Sequence, residues 1–176
     1  MLRKGLWPNR KRKWRPSAHA PVKGPFIVSC AEYYSTGKPH WAMDMVPVPW
    51  RRARLYAVRN ATVLDCHDGE PDNPPRRYPG MASNWIILGW TTKTGKKRSA
   101  FYQHLRRGSV KVKKGQKVKA GQWIGNVGTS GNTTGLHLHF SLHNGWIGAA
   151  TRYSQMTDPR RPWPPSKAWL KPKHRR

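Results

Sequence analysis

Residues 102–140 read YQHLRRGSVKVKKGQKVKAGQWIGNVGTSGNTTGLHLHF, and the last four of them, with the three that follow, decide the fold. From His137 to His143 the order is His, Leu, His, Phe, Ser, Leu, His. Side chains of a strand alternate faces, so His137, His139, Ser141 and His143 share one face, and Leu138, Phe140 and Leu142 share the other. An apolar stripe backed by a polar one predicts a strand with its apolar side on the core and its polar side lining a groove. His137 and His139 then converge on one point. A bare His-x-His pair is more often solvated or satisfied within a core, but two other motifs offer it partners. His40 and Asp44 lie four apart in PHWAMDM, and His104 sits in the aromatic-rich segment AFYQHL. Four histidines and one carboxylate are therefore available for a metal site that keeps an open coordination position.

The rest of the chain reads as strand and turn. Short β-branched or aromatic runs bounded by Gly, Pro, Asn or Asp predict strands at Phe26–Cys30, Leu55–Leu64, Trp85–Thr92, Ser99–His104 and Trp123–Val127. Helical periodicity is scarce, and 16 Gly and 16 Pro would interrupt most helices. The segment Val110–Val127, VKVKKGQKVKAGQWIGNV, alternates Val with Lys and turns at Lys114-Gly115 and Ala120-Gly121, where Gly supplies positive φ. Its lysines read as a solvated strand face. The segment also resembles the hybrid β-motif of biotin- and lipoyl-type carriers, but no lysine sits at a Met-Lys-Met-like hairpin tip, so a carrier role is excluded. His67–Ser83, HDGEPDNPPRRYPGMAS, is a long Pro/Gly-rich loop of the kind that walls a cleft. The cluster Asp65, Cys66, His67, Asp68 is metal-like in composition, yet it has the reach of one turn and no second half. It reads as a polar turn after a strand.

Charge sets the wider bounds. The 176 residues make one domain's worth of chain, with a formal net charge of +27. Residues 1–26 contribute +8 and residues 152–176 contribute +7, which leaves +12 on the domain between them. Such charge predicts affinity for a polyanion: nucleic acid through phosphate neutralisation, or an anionic envelope polymer through the same electrostatics. Trp7, Trp14, Trp163 and Trp169 interleave the basic ends, where they can stack on bases, pack on sugar rings or anchor the tails to the domain. No run of about 18 apolar residues exists, so no transmembrane helix is expected. The first residues carry charge but no apolar core segment, so a secretory signal peptide is not expected. Two cysteines, Cys30 and Cys66, read as free buried thiols of a reducing compartment, and they can pair only if their strands lie side by side.

Four ordered motifs carry a resemblance across residues 21 to 150. They are His40-x-x-x-Asp44, Tyr102-x-His104-Leu, the Lys-Gly-Gln-x-Val-x-x-Gly-Gln turn from Lys114 to Gln122, and Gly-x-x-x-Gly-x-His-Leu-His-Phe from Gly131 to Phe140. Together, with PVKGPFIVS at the domain start and RLYAVRNATV, they resemble the lysostaphin-type zinc metalloendopeptidases, which cut peptide bonds in bacterial peptidoglycan. The resemblance implies an all-β fold of antiparallel sheets and hybrid-motif hairpins around an open zinc-containing groove, flanked by irregular basic tails. It divides the chain into a basic arm (1–20), the peptidase domain (21–150) and a basic Pro/Trp-rich tail (151–176). His-x-His spacing alone does not say which of His137 and His139 binds metal. The resemblance implies one Zn2+ held by His40, Asp44 and His139, with His104 and His137 orienting water, taking its proton and stabilising the oxyanion.

The chain departs from the family pattern in two places. Ala42 stands where a Gly is frequent, and Ser141 where a Glu usually follows His-Leu-His-Phe. His19, His67, His143 and His174 match no motif position and are expected at the surface. The leading expectation is a peptidoglycan endopeptidase of a bacteriophage, either an endolysin released at lysis or a tail-associated virion protein. It would act at the cell wall from the virion or the host cytoplasm. Two alternatives are a silent structural or nucleic-acid-binding protein of a large particle, and a non-catalytic activator of another wall hydrolase. Retention of all five site residues weighs against both.

Overall fold

Alternation organises the whole molecule. The computed structural model describes residues 20–23, 26–30, 40, 42–48, 53–72, 82–147 and 156–157. The expectations for the basic ends, their four Trp, His19, His174 and the 73–81 part of the long loop fall outside those residues. Ten strands follow in chain order: β1 (Phe26–Cys30), β2 (Met43–Pro47), β3 (Arg54–Tyr56), β4 (Ala61–His67), β5 (Asn84–Thr91), β6 (Lys97–Leu105), β7 (Lys117–Val118), β8 (Trp123–Asn126), β9 (Leu138–Asn144) and β10 (Met156–Thr157). The described residues contain no helix.

Eight strands form one antiparallel sheet in the order β1-β2-β9-β6-β5-β4-β7, with β10 also on β9; β3 and β8 form a second, two-stranded sheet. The core lies between the two. On the inner face of the large sheet, Met43 and Met45 of β2 stand opposite Phe140 and Leu138 of β9, and Tyr102 of β6 stands between Phe140 and Ile86. All are buried, and Leu55 and Ile124 of the small sheet meet them fully buried from the other side. The Tyr102 ring meets Phe140 edge to face at 5.1 Å. Its hydroxyl donates to Tyr56 O and accepts from Val58 N, which ties the small sheet to the large one.

The run Leu55–Leu64 proves to be two strands in different sheets. The chain leaves β3, crosses the layers through Ala57 to Asn60 and enters β4. Ala57 exchanges backbone bonds with Gln122 and Gly121, and the Asn60 side chain accepts from Ala120 N. Only Arg59 and Asn60 interrupt the apolar and β-branched residues of the run, and they stand at the corner.

The turns at Lys114-Gly115 and Ala120-Gly121 form where expected. Gly115 and Gly121 have φ of 82° and 78°. The two turns are copies of one device. Gln116 and Gln122 each accept, through their side-chain oxygen, the amide of the lysine three residues earlier.

Cys30 and Cys66 lie on β1 and β4, five strand steps apart across the sheet. At about 4.8 Å per step that separation is beyond any disulfide. Cys66 is a free, half-buried thiol.

Candidate metal centre

Asp44 is aimed by its neighbours. Met43 and Met45 bury on the core side, so the side chain between them must leave on the outer face of the sheet. There β2 sets Asp44 directly opposite His139 of β9. His40, four residues upstream and 1% exposed, completes the group. His139 Nδ1 lies 3.0 Å from Asp44 Oδ1, His40 Nε2 lies 3.2 Å from Asp44 Oδ1, and the two imidazole nitrogens are 3.2 Å apart.

Tetrahedral zinc with bonds of 2.0–2.1 Å needs donor atoms about 3.3 Å apart, so this triangle is of the right size for one ion. The chemistry of the set agrees: two borderline nitrogens and one anionic oxygen, buried together. Burial pushes the Asp44 carboxyl up, but hydrogen bonds from His139 and His40 outweigh it and hold the group well below the usual carboxylate range. Among the described residues this is the one group of His, Cys, Asp and Glu able to hold a metal. Ala42, between His40 and Asp44 in the chain, is itself buried.

His137 stands immediately before β9, outside the triangle, with Nε2 3.7 Å from Asp44 Oδ1. Its Nδ1 is 2.9 Å from Gly135 O and 3.1 Å from Thr133 Oγ1. A carbonyl oxygen only accepts, so Nδ1 carries the proton and Nε2 offers a lone pair. Burial lowers its pKa, against a smaller opposing pull from Asp44.

His104 is placed by a distortion that spacing cannot show. Tyr102 faces the core, so strict alternation would send His104 there too. Instead β6 shifts register between the pairs Trp85↔Gln103 and Asn84↔Leu105, and His104 takes φ 64°. It is the one non-glycine residue with positive φ among those described. The bulge turns its ring onto the outer face, 4.8 Å from the His137 ring and 5.9 Å from His139. His104 Nδ1 donates to Ser130 O at 2.8 Å, which leaves Nε2 as the lone pair. Burial, with the nearby His137 and His139, brings its pKa down to about 3.

A buried polar network fixes that bulge. Asn84, wholly buried, donates to Leu105 O and Glu70 O and accepts from Glu70 N, while its own amide donates to Ser130 Oγ. Ser130 Oγ in turn donates to Leu105 O. Gly128 N donates to His104 O, and a Cβ at Gly128 would lie 2.3 Å from Arg106 backbone atoms, so only glycine allows this approach. Neither Asn84 nor Ser130 is marked by any spacing signal.

Positive φ is strained for an L side chain, which gives a direct check. His104→Gly should be more stable than His104→Ala by about 1 kcal/mol, because only glycine enters this region without steric cost. Urea midpoints of the two variants measure the difference.

Two outer-face histidines differ in fate. His67 is exposed, as expected, and pairs with Glu70 at 2.7 Å. His143 is not at the surface. It is 1% exposed, with Nε2 2.8 Å from Ser141 Oγ and Nδ1 without a hydrogen-bond partner among the described residues. The polar stripe of β9 therefore lines the site at His139 and is buried beyond it.

Burial, with the nearby His139, lowers the His143 pKa from 6.5 to about 4. The folded state thus favours neutral imidazole. Its stability contribution is complete above pH 6.5 and is lost as pH falls towards 4, on the order of 3 kcal/mol in total. With metal chelated, His143→Gln should lose less stability between pH 7 and 4.5 than the parent in urea titrations.

The metal-like cluster on β4 dissolves into separate local roles. Asp68 accepts backbone amides of Gly69, Gly108 and Val110, and Asp65 faces Lys114 at 3.7 Å.

An anionic donor triangle, with two neutral imidazoles beside it on the same sheet face, is the arrangement of a mononuclear metal-dependent hydrolase. The sequence matches the model of peptidase family M23 over residues 51–155, more than half of the chain. The chain belongs to peptidase family M23. The matched stretch contains His104, His137 and His139, while His40 and Asp44 precede it and reach the site through the β2–β9 register.

Over 67 residues the chain is 40% identical to the peptidoglycan DD-endopeptidase ShyA of Vibrio cholerae serotype O1, covering 38% of this chain and 14% of that protein. The fold is similar to the solution structure of lysostaphin, with TM-score 0.54 and 24% identity over 76% of this chain and 48% of that one. It is similar also to the antimicrobial peptidase lysostaphin from Staphylococcus simulans, with TM-score 0.52 and 22% identity over 75% and 46%. The chain thus spans about a seventh of the curated relative and less than half of each lysostaphin chain.

Proposed function

We propose that this chain is a zinc-dependent endopeptidase that hydrolyses peptide bonds in peptidoglycan cross-bridges or stems. The observation that carries the reading is the triangle of His40 Nε2, Asp44 Oδ1 and His139 Nδ1 beside two histidines whose Nδ1 protons are committed to carbonyls. His40, Asp44 and His139 would hold the zinc, which when bound would supply Lewis-acid polarisation of the scissile carbonyl and a lowered pKa for water.

The remaining work falls to the two free imidazoles. His137 Nε2 takes a proton from the attacking water as the water oxygen adds to the carbonyl carbon. The same proton then passes from Nε2 to the amide nitrogen as the C–N bond breaks, giving an amine and a carboxylic acid that loses its remaining proton to solvent. His104, kept neutral by its surroundings, accepts a hydrogen bond at Nε2 and orients the water. Its fixed bulge removes the need to reorganise on reaching the transition state.

The same reading assigns the basic ends, 1–20 and 151–176, to concentrating the enzyme on an anionic envelope polymer or on nucleic acid within a virion, in a phage lysis or entry role. Their charges, +7 each, support it.

Purified muropeptides with direct D-alanyl, glycine-bridged and uncrosslinked stems, incubated with the zinc-loaded chain and weighed by mass spectrometry, test the activity. Fragment pairs that sum to one parent plus one water are expected from at least one class. All classes intact would turn the assignment to a silent polyanion-binding protein.

A further inference from the structure

The outer face of the large sheet carries one unbroken row of register partners. Asp44 of β2 faces His139 of β9, which faces Gln103 of β6, which faces Trp85 of β5, which faces His67 of β4. Five neighbouring strands thus present one line of side chains that begins at the metal triangle and ends at an exposed histidine. Exposure rises along it: Asp44 and His139 are buried, Gln103 and Trp85 half-buried and His67 exposed. Trp85 is the centre of an aromatic shelf, stacked with His67 and edge to face with Phe101, both at 6.2 Å. The main core lies on the opposite face; on this one the Trp85 and Phe101 rings flank the buried Ile87 and stay half-exposed themselves.

Three properties of the shelf point to a neutral, hydroxylated ring. It is aromatic, with the His67 and Trp85 rings within 28° of parallel. It is edged by the Gln103 amide, the Ser83 hydroxyl that accepts from it, and the Glu70 carboxylate on His67. And in a chain of net charge +27, the row from Asp44 to His67 contains no Lys or Arg. Among the described residues of the row, a phosphate-bearing ligand would find no lysine or arginine. A sugar ring can lay its C–H face on an indole and turn its hydroxyl and acetamido groups to amide and carboxylate neighbours.

We propose that Trp85, with Gln103 and His67, forms a subsite for an N-acetylated sugar of the glycan strand, continuous with the metal centre. The inference rests on the peptidoglycan reading and deepens it. Trp85 is two strand steps from His139, about 10 Å, and an extended peptide covers about 3.3 Å per residue. The bond cut therefore lies in the stem peptide, about three residues from the sugar, rather than in a cross-bridge.

The test compares a disaccharide–stem peptide with the same peptide freed of its sugar, each cleaved by the full chain and by Trp85→Ala, Trp85→Phe and Gln103→Leu. The parent should prefer the sugar-bearing substrate by about tenfold in kcat/KM, carried mainly by KM. Trp85→Ala should abolish that preference yet cut the sugar-free peptide at the parental rate. Trp85→Phe should keep part of the preference, and Gln103→Leu should weaken it should the alanine variant fail to fold. Equal cleavage of both substrates by the parent, or equal slowing of both by Trp85→Ala, overturns the subsite and marks Trp85 as a peptide seat or a packing residue. If neither substrate is cut, the endopeptidase reading fails instead. Calorimetric titration of the same two ligands then decides the subsite by whether the sugar adds affinity that Trp85→Ala removes.

Discussion

Asp44→Ala should empty the metal centre and abolish peptidase activity together. Asp44 is the anionic member of the donor triangle, and its Oδ1 lies within 3.2 Å of both imidazole nitrogens. Its removal leaves two neutral donors, too few to hold zinc in a closed set of three. The loss of affinity should exceed the roughly 10–100-fold that removal of an outer partner of a metal ligand costs. Two readouts follow. Metal analysis should fall from one zinc per chain to a small fraction. The parent should also gain about 2.7 kcal/mol of stability at a free zinc concentration of 100 Kd, while the variant gains none under the same conditions.

His137→Ala should separate chemistry from metal binding. His137 stands outside the triangle, and its Nε2 approaches Asp44 only to 3.7 Å. The variant should retain one zinc per chain and its zinc-dependent stabilisation. Its kcat should fall by about 10²–10⁴-fold, the usual contribution of a positioned general base, with KM little changed. Loss of zinc in this variant would instead place His137 among the ligands. Paired measurements of metal content and kcat on one muropeptide distinguish the two outcomes.

Much of this arrangement is legible in the residues. The alternation of β9 reveals its core side, because Leu138, Phe140 and Leu142 leave no other face for His139. Met-Asp-Met in β2 does the same for Asp44. Lys-x-Gly-Gln predicts both turns, since φ near +80° at the third position selects glycine. What stays hidden depends on partners distant in sequence. His104 faces the site only because a register shift against β5 breaks its alternation, and that shift is held by Asn84 and Ser130 from separate segments. His143 continues the polar stripe in pattern, but the sheet buries it. The corner between β3 and β4 is marked only by Arg59-Asn60, because both halves of the run are equally strand-like. The row from Asp44 to His67 exists only once five strands are in register.

Digestion of purified, nucleic-acid-free sacculi is the most direct test of the central claim. The full chain is added with and without a zinc chelator, released fragments are identified by mass spectrometry, and zinc is then restored to the chelated sample. Peptide fragments with new amino and carboxyl termini and uncut glycan are expected, lost on chelation and regained with zinc. Intact sacculi of several cross-link types, from a chain carrying one zinc, would contradict it.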